Sequence, residues 1–241
     1  MFRSGSTLQF QLVSALIERE GLGRRLPWVM PEEFAQMAPE LDGSRELLVF
    51  KTHVCKHPMR VRLRDGRALA VGVHRDLRDV AVSGAKKAGV EPTPEYCREL
   101  TEGCMACARG WEGSPGIMEL SYTRLTEDTP AACLEMAAHL GIPCDAGRAE
   151  ALASEFSVGR QRERIADAVR DGRMVKPAPN SKMRHMEGEL LHPNHIEDGR
   201  TGKWREVLCP GAIGEIERIG AEWLVARGYE LTIPLDRRLA V

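Results

Sequence analysis

No apolar run in this 241-residue chain approaches the roughly 18 residues that a membrane-spanning helix needs. The N-terminus also lacks the basic start, apolar stretch and small-residue cleavage site of a secretory signal, because Arg3, Ser4 and Gly5 interrupt it at once. A cytoplasmic protein is the expectation. Disulfide spacing is missing too: the cysteines number seven, an odd count without compact intervals, which favours reduced thiols over a bridged framework. A formal net charge of −1 supplies no global attraction to nucleic acid, so any anion site must be local. There is no internal repeat and no low-complexity tract. What remains is 43% hydrophobic and 29% charged, the balance of a soluble globular protein, and the length suits one α/β domain over residues 1–241.

The apolar spacing of Leu8, Phe10, Leu12, Val13, Leu16 and Ile17 predicts a helix over residues 8–20, fed by a loop of small residues. Residues 21–45 read as a long connection with one helix near residues 31–38. Leu47-Leu48-Val49-Phe50 is a continuous apolar run ending in Lys51-Thr52-His53, the pattern of a buried parallel strand whose polar residues emerge at its C-terminal end. Residues 68–73 repeat that design and end in His74-Arg75. Helices are predicted over residues 76–87, with Asp76 as cap, over 94–111, over 129–140 with Pro130 in the first turn, and over 210–227; a strand is predicted over 117–121. Strands alternating with helices predict an α/β fold of three layers, a central parallel sheet between helices. Residues 171–208, rich in Gly, Pro, His and charge and without a period, read as a functional loop or lid.

Three constellations carry chemistry. Arg3-Ser4-Gly5-Ser6-Thr7 leads into a helix, presenting backbone N–H groups, hydroxyls, a fixed cation and the positive helix end to an anion; an ordinary helix cap explains the same residues. Arg75, leaving a strand end, and Ser83, about two helical turns later, are placed to grip a phosphate, or belong to a solvated amphipathic helix start. Lys51 and His53 project from a strand's C-terminal edge, where open α/β sheets bind ligands, although a single histidine there is more often structural.

Taken together and in order, these pieces resemble the sulfotransferase family that uses 3′-phosphoadenosine 5′-phosphosulfate (PAPS). FRSGST is similar to the family's 5′-phosphosulfate loop, KTH to the strand end with the catalytic lysine and histidine, RDLRDVAVS to the 3′-phosphate motif, and GRTGKWREVL to the segment that closes over the nucleotide. Tyr122 falls where the family places a tyrosine near the adenine, and AACLEMAAHLGIP resembles its helix ending in LGLP. The resemblance implies a P-loop-like fold and sulfuryl transfer from PAPS to a hydroxyl or amine, releasing 3′-phosphoadenosine 5′-phosphate (PAP), with no metal. It implies catalytic roles for His53, Lys51 and Arg3, and nucleotide contacts from Arg3, Ser4, Gly5, Ser6, Thr7, Leu8, Arg75, Ser83, Tyr122, Arg200, Thr201 and Gly202. The acceptor is a small molecule, glycan or lipid, and neither nucleic acid nor a membrane span is expected. In the departures, Arg3 replaces a common lysine, Leu77 a common proline and Leu8 a tryptophan that stacks on adenine, while Arg200 is displaced relative to the family's RKG arginine. Only Met1 and Phe2 precede the loop, so the family's first strand is very short or missing here, either because the true start lies upstream or because the sheet tolerates a very short first strand.

Blander and rival readings stand beside this one. Cys97, Leu100, Cys104, Cys107 and Trp111 share a helical stripe, better read as a thiol-lined core face than as zinc ligands. His53, Cys55 and His57 alternate as on a strand, and His185, His192 and His195 lie in the predicted lid, where solvated histidines are common. A small-molecule kinase is disfavoured by the missing Walker lysine, and a PAP-binding protein without activity by the presence of His53 with Lys51.

Overall fold

The computed structural model describes residues 2–26, 28–176, 184–186, 188–192, 196 and 199–232. In chain order the elements are α1 (Ser6–Glu18), β1 (Gly23–Arg25), α2 (Pro31–Asp42), β2 (Leu47–Val49), α3 (His57–Arg64), β3 (Ala70–His74), α4 (Leu77–Ala88), α5 (Pro94–Trp111) and β4 (Ile117–Ser121). They continue with α6 (Tyr122–Glu127), α7 (Thr129–Leu140), α8 (Ala146–Glu155), α9 (Val158–Arg170), β5 (Met174–Val175), β6 (His185–Met186), α10 (Trp204–Val207) and α11 (Pro210–Ala226). The predicted α/β class holds. Among the described residues the strands pair two by two: β1 with β2 in parallel, Gly23 opposite Leu47 and Arg25 opposite Val49, then β3 with β4, and β5 with β6 antiparallel. No strand precedes α1 among the described residues, where the chain turns from Phe2 straight into the helix.

The chain divides into two compact units interleaved in sequence. The larger comprises Gly5–Val73 and Gly113–Gly199. Its core joins Leu12, Leu16 and Ile17 of α1 to Cys133 and Met136 of α7, Leu120 of β4, Val73 of β3 and Leu152 of α8. Each such side chain, fully buried, contributes roughly 1.5–3 kcal/mol. Helix α7 begins where Asp128 accepts a hydrogen bond from the Ala131 amide and Pro130 occupies the first turn, and it ends at Gly141 in the left-handed conformation, φ 67°.

The smaller unit comprises Met1–Ser4, His74–Glu112 and Arg200–Val241. Leu77, Val80 and Ala81 of α4 pack with Cys97, Cys104 and Met105 of α5 and with Ala212, Ile216 and Leu224 of α11. Thr93 caps α5 through the Tyr96 amide, with Pro94 in its first turn. Inside this core Arg78 pairs with Asp76 at 2.7 Å and with Glu217 at 2.8 Å, and Glu217 also accepts from the amide and hydroxyl of Thr232, both at 2.9 Å. A buried charge is tolerated only when its hydrogen bonds are made, and this set makes them.

Several expectations need correction. The connection over residues 21–45 contains a strand, β1, and its helix runs on to Asp42 with Pro39 inside it. The strand suggested by the alternation of His53, Cys55 and His57 is absent: residues 50–56 are irregular and His57 opens helix α3, with Pro58 in its first turn.

Candidate functional site

In the larger unit the candidate residues gather at the start of α1 and beyond the end of β2. Gly5 occupies the N-cap with φ 85°, so the first amides of α1 have no N-cap side chain to donate to. A Cβ at Gly5 would stand 3.1 Å from Cδ2 of Tyr122 and 3.3 Å from Cδ2 of Leu125, which places the Tyr122 ring directly against the loop. Ser6 and Thr7 form the first turn of the helix, and Leu8 packs against the core of this unit. The Thr7 hydroxyl accepts a 2.6 Å hydrogen bond from Lys51 Nζ, which joins the KTH strand end to the first turn of α1. His53 meets Trp28 edge to face with ring centroids 5.1 Å apart, and Lys51 Nζ lies 5.8 Å from the same indole. Trp28 was not among the residues read from sequence, and the only signal for it is an aromatic residue in a stretch otherwise rich in glycine and proline.

In the smaller unit the candidates gather around Arg3. Its backbone has φ 54°, a left-handed conformation that costs a non-glycine residue roughly 1–2 kcal/mol and marks a constrained loop. Arg3 Nε donates to Ser83 Oγ at 3.0 Å, joining the first motif to the second. Ser4, beside it, is fully buried. Arg75 donates from Nη2 to the Arg200 carbonyl at 2.9 Å, and its Nη1 approaches the Arg3 carbonyl at 3.5 Å. Lys87, one turn beyond Ser83, is held below the ordinary lysine range by desolvation first and by the charge of Arg3 second. Thr201 and Gly202 follow Arg200, and the Gly202 amide donates to Asp79 at 2.7 Å. This unit thus brings together Arg3, Ser4, Arg75, Ser83, Arg200, Thr201 and Gly202, a cation-rich cluster suited to a phosphate.

The stretch read as a lid, residues 171–208, includes residues 177–183, 187, 193–195 and 197–198, which with His195 lie outside the described residues. Some described residues between Met174 and Ile196 are packed. Met186 and Leu191 are buried against Ile165 and Ala168 of α9, and Glu189 accepts from Gln11 at 3.0 Å and pairs with Arg164. His192 is buried, and His185 Nδ1 lies 3.1 Å from the Met186 carbonyl. Of the cysteine stripe of α5, Cys97 and Cys104 lie in the core, where burial pushes the Cys97 thiol up to about 11 and the Cys104 thiol up to about 12, while Cys107 is half-buried. Among the described residues no group of three or more His, Cys, Asp or Glu side chains is placed to hold a metal ion, and no helix is long and apolar enough to cross a membrane.

The sulfotransferase domain profile matches residues 2–225. No curated protein matches the chain significantly in sequence. Among solved structures, retinol dehydratase in complex with androsterone and inactive cofactor PAP superposes with a TM-score of 0.59 at 17% identity, over 96% of this chain and 80% of that one. Mouse sulfotransferase SULT7A1 complexed with PAP gives a TM-score of 0.62 at 15% identity, over 92% of this chain and 80% of that one. Retinol dehydratase with retinol and PAP gives 0.59 at 17% identity, over 96% of this chain and 81% of that one.

Proposed function

Because the chain belongs to the sulfotransferase-domain family, we propose that it transfers a sulfuryl group from PAPS to the hydroxyl or amine of a small-molecule, glycan or lipid acceptor, with residues 1–241 acting as one domain. The observation that carries the reading is the 3.0 Å hydrogen bond from Arg3 to Ser83, which joins two phosphate motifs 80 positions apart.

The residues fit such a donor. Arg75 and Ser83 supply a guanidinium group and a hydroxyl for the 3′-phosphate, the group that separates PAP from adenosine 5′-phosphate (AMP). The amides of Gly5, Ser6 and Thr7 supply fixed dipoles for the 5′ end, and Tyr122, against that loop, offers a ring to the adenine. Transfer breaks the S–O bond to the nucleotide phosphate, which leaves as PAP, and forms an S–O bond to an acceptor hydroxyl or an S–N bond to an acceptor amine. The migrating group is flat and electron-poor at the transition state, so positioning and charge stabilisation supply most of the catalysis. His53 takes the acceptor proton as general base. Lys51, held to Thr7 at 2.6 Å, and Arg3 stabilise the charge that builds on the leaving oxygen. Residues 171–208 act as the segment that closes over the nucleotide.

The test is ligand-dependent stability. PAP at about 100 times its Kd is expected to stabilise the protein by about 2.7 kcal/mol and to raise Tm, while ATP, lacking a 3′-phosphate, leaves it nearly unchanged. No shift with saturating PAP, or an equal shift with ATP, would overturn the donor assignment.

A further inference from the structure

Asp79 stands in the first turn of α4, four residues after Arg75 and four before Ser83, and is 2% exposed. A carboxylate at that place opposes phosphate binding by like-charge repulsion unless its charge is taken up locally. It is taken up: Oδ2 accepts the Gly202 amide at 2.7 Å and Oδ1 accepts the Trp204 amide at 3.2 Å, one amide to each oxygen. The preceding residue, Arg78, lays its guanidinium 3.8 Å from the centre of the Trp204 ring, and Arg205 covers the same ring at 4.4 Å. Gly202 has φ 77°, and a Cβ there would stand 3.0 Å from Arg205 Nη1, so the bend that aims two amides at one carboxylate requires glycine. Arg75, just before α4, and Arg78 and Asp79 in its first turn therefore grip residues 200–204 at the Arg200 carbonyl, the Trp204 ring and two amides.

We propose that Asp79 is a positioning residue for donor recognition: by fixing the amides of Gly202 and Trp204 it sets the Arg200 carbonyl, which in turn orients the Arg75 guanidinium for a 3′-phosphate. The proposal rests on the donor reading above. Asp79 touches no ligand itself, and its effect on the nucleotide passes through Arg75. Two consequences follow. Loss of Asp79 weakens ligands that carry a 3′-phosphate and spares those that lack one. Its effect also vanishes once Arg75 is gone, because linked residues are not additive.

The experiment measures the Kd of PAP and of AMP by titration calorimetry on the wild type, Asp79→Ala, Asp79→Asn, Arg75→Ala and the double variant Arg75→Ala/Asp79→Ala. Asp79→Ala is expected to weaken PAP about tenfold or more while AMP changes less than about twofold. Asp79→Asn, which keeps one acceptor oxygen, should recover part of the loss, and the double variant should bind PAP no more weakly than Arg75→Ala. Equal losses for PAP and AMP, additive losses in the double variant, or tighter PAP binding by Asp79→Asn would each overturn the proposal. The last result would mean that Asp79 acts only as a repelling charge. Should Asp79→Ala fail to fold, the same cycle is read with Asp79→Asn. Failure of the wild type to bind PAP would remove the donor reading itself, whereas wild-type PAP affinity in the Asp79 variants would remove this proposal alone.

Discussion

Lys51 and His53 leave the end of β2 two positions apart, and Trp28 lies beside both, edge to face with His53 and 5.8 Å from Lys51 Nζ. The general-base role proposed for His53 and the charge-stabilising role proposed for Lys51 make separable predictions. His53→Ala is expected to cost about 10²–10⁴ in turnover while sparing PAP affinity, since loss of a general base leaves the donor contacts intact. Lys51→Ala should slow turnover as well, by removing charge stabilisation at the leaving oxygen. With acceptors of graded acidity, the more acidic ones should partly rescue His53→Ala and leave the Lys51→Ala defect unchanged. Undiminished turnover in His53→Ala would place the base elsewhere. Both residues could be read in the sequence because they follow one apolar run closely, two positions apart. Trp28 and Asp79 could not, because only contacts distant in sequence bring them to these groups; the hydrogen bond from Gly202 to Asp79 spans 123 positions.

At the scale of elements, helix α1 depends on a glycine that must take φ 85° with the Tyr122 ring against it. Gly5→Ala is expected to destabilise by about 1–3 kcal/mol, the left-handed penalty together with the 3.1 Å approach of Tyr122 Cδ2. Gly141→Ala is the control, since Gly141 has φ 67° and nothing within 4 Å of an added Cβ. Urea unfolding of both variants isolates the packing contribution, and equal losses would show that Tyr122 yields without cost. The elements most legible in sequence carried their own punctuation: α5 and α7 begin at a capping residue followed by proline, and α7 ends at Gly141, so both were predicted at their observed bounds. Helix α3 was missed because Met59, Val61 and Leu63 alternate in a way that also fits a strand, while Met59 and Leu63, four apart, are the pair that is buried. Strand β1 is three residues, two of them arginine, and only its pairing with β2 identifies it.

Over the whole molecule, the alternation of strand and helix patterns was enough to expect an α/β chain, but not the division into two units, because each is assembled from separated stretches of sequence. The cores offer a way to ask whether those units unfold together. Cys97 and Cys104 lie in the core of the smaller unit and Cys133 in that of the larger, while Cys209 is exposed. Burial pushes the thiols of Cys104 and Cys133 from an ordinary 9.0 up to about 12, and that of Cys97 up to about 11. Such groups hold their protons more tightly folded than unfolded, so their contribution to stability is complete below pH 9 and is lost as pH rises toward the folded values. A thiol reagent at neutral pH should therefore label Cys209 at once and the three buried cysteines only on unfolding. If residues 1–241 form one cooperative domain, labelling across a urea series should give the same midpoint for Cys133 as for Cys97 and Cys104, read by peptide mass spectrometry. Two separate midpoints would mean that the units unfold independently and would end the single-domain reading. The same three thiols are expected to make stability fall between pH 9 and about 12, and replacing Cys133 with alanine should flatten that slope even as it lowers stability at neutral pH through the space it leaves.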